Sequence, residues 1–269
     1  MNHIFCNLSG EDKNNLINIF KTSFDIPNDG IDALFEKYTA FKKEFDSNEE
    51  PSLGYITLQR DWVLPKTTDS EFLSKYKNEN EYNIGIDLPI LLEPQIPNGK
   101  SIMFIAEDPL RDNIPKICQD VVLSTPFGVH IKSCREKKLK VYWRIFDELL
   151  KRGYRIYVTD TYKVWIKQFT KTGRNAKEKV EKVDDLYQAF VTSLQKEIEW
   201  INPSKIVCYG NVALNSISNL KLQSNVIQIT HPAARNKVWI NNLLTLNEGD
   251  LKATHENKIR YILSMINSK

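Results

Sequence analysis

The chain has 269 residues, 41% of them apolar and 26% charged, with a net charge of +3 and a pI of about 8.5. That is enough apolar material for one large core, and no run reaches the roughly 18–20 apolar residues of a membrane helix. The N-terminus lacks a basic-then-apolar leader, so a cytoplasmic protein with no membrane partner is expected. Cys6, Cys118, Cys134 and Cys208 form no CxxC pair and have no histidine at ligand spacing, so the spacing supports neither a metal site nor an iron–sulfur cluster.

Taken in order, the first hundred residues predict a mainly helical lobe. Ser9-Gly10-Glu11-Asp12 is a helix start, followed by the apolar stripe Leu16, Ile17, Ile19 and Phe20. Leu34, Phe35, Tyr38, Phe41 and Phe45 recur at helical spacing and predict a second helix over 30–45. Residues 46–100 are punctuated by Pro51, Pro65, Pro89, Pro94 and Pro97 and read as irregular. The expected division is an N-terminal extension, 1–99, packed on an α/β domain, 100–269.

From Gly99 onward the pattern alternates. Strands are predicted at 102–106, 155–159, 205–209 and 226–230, and helices at 137–152, 175–200, 211–220 and 255–266. Alternation of this kind implies a three-layer α/β/α fold around a four-stranded parallel sheet. Each strand opens onto the same sheet edge, where open α/β sheets bind ligands. Glu107-Asp108-Pro109 follows the first strand, Asp160 ends the second, Gly210-Asn211 follows the third and His231-Pro232 the fourth. Two acids and a histidine directly abutting buried strands fit a general acid/base site. No glycine-rich phosphate loop of GxGxxG type is present, which disfavours a nucleotide enzyme.

Four stretches carry a resemblance. Ala106-Glu-Asp-Pro-Leu-Arg111, Tyr157-Val-Thr-Asp-Thr-Tyr-Lys163, Thr230-His-Pro-Ala-Ala-Arg-Asn236 and the loop Thr125-Pro-Phe-Gly-Val129 resemble motifs of the uracil-DNA glycosylase superfamily. The likeness covers 100–266; the segment Glu197–Gly210 adds to it. It implies a monofunctional DNA glycosylase with no cofactor or metal, acting as a monomer on DNA. Asp108 and His231 would be catalytic, one stabilising the sugar cation and orienting water, the other donating to the departing base. Phe127 would stack on the flipped base and Asp160 would read it, with Glu107 and Leu110 lining the pocket. Each residue also has a plainer reading: a turn for Asp108, a loop histidine for His231, core for Phe127, a cap for Asp160.

Departures from the family pattern point to the substrate. The base reader is commonly asparagine, whereas Asp160 is a carboxylate, which suits the N4 amine of cytosine better than uracil O4. Leu110 stands where the uracil-specific branch has a tyrosine that blocks C5 substituents. Together they point to a C5-modified cytosine, such as the hydroxymethylated or glucosylated base of some phage DNAs, and hence to antiviral defence. A uracil or damaged-base repair enzyme and a non-catalytic nucleic-acid-binding member remain the alternatives. Ala106 and Glu107, in place of the usual Gly-Gln, leave the backbone of the water site open. For DNA contacts the candidates are Arg111, Lys163, Lys167, Lys171 and Arg174, with Arg235 and Asn236 at the gap left by a flipped base. Lys177 to Lys182 reads instead as a solvated helix face.

Overall fold

The computed structural model describes residues 4–5, 9–47, 56–108, 119–171, 176–244 and 252–268. The expectations for Leu110, Arg111 and Arg174 concern positions outside these residues.

The N-terminal part opens with β1 (Ile4–Phe5), α1 (Gly10–Ser23), β2 (Phe24–Asp25) and α2 (Asn28–Ser47). Ser9 starts α1 as a capping box: its hydroxyl accepts from the Asp12 amide, and the Asp12 carboxylate accepts from the Ser9 amide, each at 3.1 Å. α2 buries Leu34, Tyr38, Phe41 and Phe45 along one stripe. β3 (Thr57–Leu58), β4 (Leu64–Pro65) and α3 (Ser70–Lys77) follow, and then two strands that the sequence reading left as irregular, β5 (Tyr82–Asp87) and β6 (Ile90–Glu93). All of β5 is buried, as is most of β6, but Asn83, Gly85 and Asp87 interrupt the apolar residues of β5, and Pro89 and Pro94 flank the short β6.

The alternating part contains β7 (Ser101–Ala106), β8 (Val121–Ser124), α4 (Lys140–Lys151), β9 (Arg155–Asp160), β10 (Val164–Gln168), α5 (Asp184–Ile201), β11 (Lys205–Tyr209), α6 (Gly210–Ile217), β12 (Asn225–Ile229), α7 (Asn236–Leu243) and α8 (His255–Ser268). Four strands form the expected parallel core in the order β9-β7-β11-β12. β6 and β1 extend it antiparallel beyond β9, giving six strands.

The two faces of β7 separate by the period of two. Ile102, Phe104 and Ala106 join Ile145, Phe146 and Leu149 of α4 and Ile259, Ile262 and Ile266 of α8. Met103 and Ile105 join Leu194, Ile198 and Ile201 of α5 and Ala213 and Ile217 of α6. Helices on both faces make the three layers.

A second sheet runs β10-β5-β8-β3. It interleaves the two parts of the chain, because β5 lies between β8 and β10 and pairs with each along most of its length. β6 likewise pairs with β9 in the main sheet. Residue 99 therefore marks the start of the alternating pattern while both larger sheets cross it, and one apolar cluster runs from Leu16 to Ile266. Gly85 makes room for the ring of its β10 partner Trp165: a Cβ there would meet that ring at 2.2 Å.

Helix α5 starts at Asp184, later than the predicted Asn175. Residues 176–183 instead run beside β10: Lys177 bridges to Lys167 and the Glu178 amide donates to the Ile166 carbonyl at 2.8 Å.

Candidate active site

The parallel register brings the strand ends together. Ala106 pairs with Asp160, and the pairing continues past both strands: the amides of Thr161 and Tyr162 donate to the carbonyls of Ala106 and Glu107, each at 2.9 Å. Asp108 thus leaves β7 beside the end of β9. Asp160 is buried, 4% exposed.

His231 follows β12 on the other side. Burial pushes its imidazole below the ordinary value, against the pull of the Asp108 carboxylate, whose charge it feels. The ring is therefore neutral at neutral pH. The Ala233 amide donates to Nδ1 at 3.3 Å, which leaves the proton of the neutral ring on Nε2. The Tyr142 hydroxyl lies 3.1 Å from Nε2 and 3.3 Å from Nδ1, at the ring edge between them. The His231 carbonyl accepts from the Ala234 amide at 2.8 Å and from the Trp239 indole at 3.2 Å, which ties the turn to α7.

Phe127 is half-buried with φ of 57°, a left-handed conformation costly for a bulky side chain. Its ring stacks on Tyr142, centroids 4.0 Å apart and planes 16° from parallel, and meets Tyr209 edge-on at 5.6 Å. Tyr142 and Tyr209 each also face His231. One aromatic cluster therefore joins the Phe127 loop to His231, with one face of Phe127 covered by Tyr142.

Helix α2 supports this loop. Phe41 packs on the buried His130 ring at 4.3 Å, and Glu44 lies 3.7 Å from His130 Nε2. Arg135, also buried, lies over the Phe45 ring and donates to the carbonyls of Val129 and His130. Thr125 Oγ1 and His130 Nδ1 close the loop at 2.8 Å.

The basic candidates divide. Lys163 does not reach the surface. It is 3% exposed, and its ammonium donates to the Glu197 carboxylate at 2.7 Å and the Asp160 carbonyl at 2.8 Å. Glu197, fully buried on α5, also accepts from the hydroxyls of Tyr157 and Thr159 at 3.0 Å. The expected phosphate contact is thus corrected. The tight turn at 161–163 folds the side chain inward, where a buried carboxylate requires a cation. Lys171, Arg235 and Asn236 are exposed, and Lys167 is half-buried on β10.

Lys177, read from the sequence as a solvated helix position, forms an ion pair with Asp108 and lies 3.6 Å from Glu107. Burial alone would lower its pKa, but the Asp108 charge and hydrogen bond outweigh it and raise it. Glu107 is half-exposed, and burial together with the neighbouring Asp108 charge pushes its carboxyl upward.

A family model described as uracil DNA glycosylase superfamily matches residues 94–249, more than half of the chain. The chain belongs to the uracil DNA glycosylase superfamily. No curated protein matches it. The matched span includes Asp108, Phe127, Asp160, Lys177 and His231, so the superfamily domain contains the whole strand-end cluster. Its general capacity is that of a DNA glycosylase, a DNA-acting hydrolase. Among the described residues no group of three His, Cys, Asp or Glu side chains could hold a metal, and no helix is long and apolar enough to cross a membrane.

Three residues of the cluster escaped the sequence reading. Tyr142 is spaced with Ile145, Phe146 and Leu149 and reads as core; Tyr209 ends an apolar strand; Lys177 sits among lysines. Nothing local distinguishes any of them.

Proposed function

We propose that this member of the superfamily is a monofunctional DNA glycosylase that excises a flipped-out, C5-modified cytosine, hydroxymethylated or glucosylated as in some phage DNA, in antiviral defence. The observation that carries the substrate reading is the buried Asp160 carboxylate, held at the end of β9 beside the strand that delivers Asp108. An acceptor at that depth complements the N4 amine of cytosine, and a proton held between the carboxyl group and cytosine N3 would satisfy both. Leu110, by its residue type, adds room at C5.

In this reading the bond between base nitrogen and sugar C1′ breaks with its electron pair leaving on the base. Asp108 stabilises the cation formed at C1′ and orients the water whose oxygen bonds there; the water's proton is passed to Asp108 and then to solvent. The neutral His231 ring donates its N–H to the O2 carbonyl as negative charge develops. Phe127 would stack on the base with the face turned away from Tyr142, the left-handed backbone being a cost repaid by that placement. Lys167 and Lys171 would grip phosphates. Arg235 and Asn236, with the exposed apolar Val238 and Ile240 that follow on α7, would meet the duplex where the base has left.

Base release from duplex oligonucleotides carrying uracil, methylated, hydroxymethylated or glucosylated cytosine tests the proposal. The modified cytosines should be released, Asp108→Asn should lower the rate by about a hundredfold or more, and Asp160→Asn should move preference toward uracil. Robust uracil release without modified-cytosine release would establish the repair enzyme instead. A non-catalytic DNA-binding member has the ion pair on Asp108 in its favour, and predicts that Asp108→Asn changes nothing.

A further inference from the structure

Among the described residues, Lys177 meets two adjacent acids, Glu107 and Asp108, with the charge of Glu181 also felt by Glu107 and Lys177, and the two acids are not equivalent. Lys177 contacts the Asp108 carboxylate directly but stands 3.6 Å from Glu107. A carboxylate bonded by an ammonium is fixed in place by it, and the shorter contact is the one to Asp108. The Glu107 carboxyl, raised by burial and by Asp108, bears the strain of the pair.

We propose that Lys177 is the positioning residue for Asp108: its ammonium binds that carboxylate and holds it, rather than Glu107, in the orientation that faces the sugar. The inference rests on the reading of Asp108 as the carboxylate beside C1′.

The backbone around Lys177 is built to hold it there. Ala176 and Val180 are buried on either side. Lys177 itself bridges to Lys167 on β10, and the next residue is fixed twice, by its amide to Ile166 and by its carboxylate to Lys75 of α3 at 2.9 Å. Lys75 is held in turn by Glu71 at 2.7 Å. A side chain anchored from a strand and from a helix of the N-terminal part is a fixed component, unlike an arm free to follow DNA. Glu181 adds a negative charge felt by both Glu107 and Lys177, so one lysine does not cancel the field that a sugar cation needs.

The test uses the full chain and the duplexes named above, with single-turnover rates and KM measured separately. Lys177→Met keeps the length of the side chain and removes its charge. It should lower the rate about 10- to 100-fold while KM moves no more than about twofold, the pattern of an interaction that acts through a reacting group. Lys177→Arg should recover most of the loss. In an Asp108→Asn background, Lys177→Met should cause no further loss, because both changes remove one function.

A raised KM with unchanged rate would overturn the proposal and make Lys177 a phosphate contact, and so would additive losses in the double variant. Lys177→Met as active as wild type would overturn this inference alone. Wild type that releases no base from any of the duplexes would overturn the proposed function together with it. Thermal unfolding of each variant separates a folding defect from loss of rate, and a folded Lys177→Arg protein that recovers nothing counts against the proposal.

Discussion

At the residue scale the site is organised by buried and half-buried charges whose partners come from distant parts of the chain. Lys163 and Glu197 are the deepest, and the Lys163 ammonium holds the Asp160 carbonyl as well. Glu197→Gln would strand that ammonium, and urea denaturation should register a loss of about 3–5 kcal/mol, whereas replacing both residues by apolar ones of similar size should cost far less. His231 gives a pH signature. Its folded pKa lies below the unfolded value of about 6.5, so its contribution to stability is complete above that value and is lost as pH falls through the folded pKa. Between about pH 7 and pH 5 the wild type should lose more stability than His231→Gln. Equal slopes in the two proteins would show that the ring is not buried neutral.

At the scale of elements, the site loops are held by pieces of the N-terminal part. α2 grips the Phe127 loop through Phe41, Glu44 and Phe45, α3 fixes the segment after Lys177 through Lys75, and β5 stands between the strands that lead into and out of the site. Gly85 is the tightest point of this arrangement, because Trp165 of β10 occupies the space a side chain would need. Gly85→Ala should destabilise the protein by about 1–3 kcal/mol by denaturation. Base release should fall with it, since displacing β10 displaces the Lys167–Lys177 bridge. An unchanged unfolding midpoint would show that the Trp165 ring can shift without loosening the β5–β10 pair.

At the scale of the whole molecule, the apolar cluster and both larger sheets cross residue 99. A fragment of residues 100–269 would lose β5 from the middle of one sheet and β6 from the edge of the other. It would also expose the apolar surface that α1 and α2 cover. We expect it to show no cooperative thermal transition by circular dichroism and no dispersed amide spectrum. A stable, cooperative fragment would make residues 1–99 a separable extension after all.

The sequence by itself determined the parallel core, four of its helices apart from the start of α5, and the edge at which acids and histidine gather, because those rest on local signals: buried five-residue runs, helical periodicity, and strand ends that stop at Asp108, Asp160 and His231. Helix α7 was not among those four. It determined the superfamily through the same short motifs. β5 and β6 stayed illegible because Asn83, Gly85 and Asp87 break the apolar run of β5, and β6 is four residues long between Pro89 and Pro94. The partners of the charges were decided only by tertiary structure. Lys163 and Lys177 look alike in a lysine-rich stretch, and each became an internal counterion once a carboxylate from another element, Glu197 or Asp108, was folded against it. A charge carries no local mark of what it will face, and the cost of burying a carboxylate alone is what draws a lysine to it.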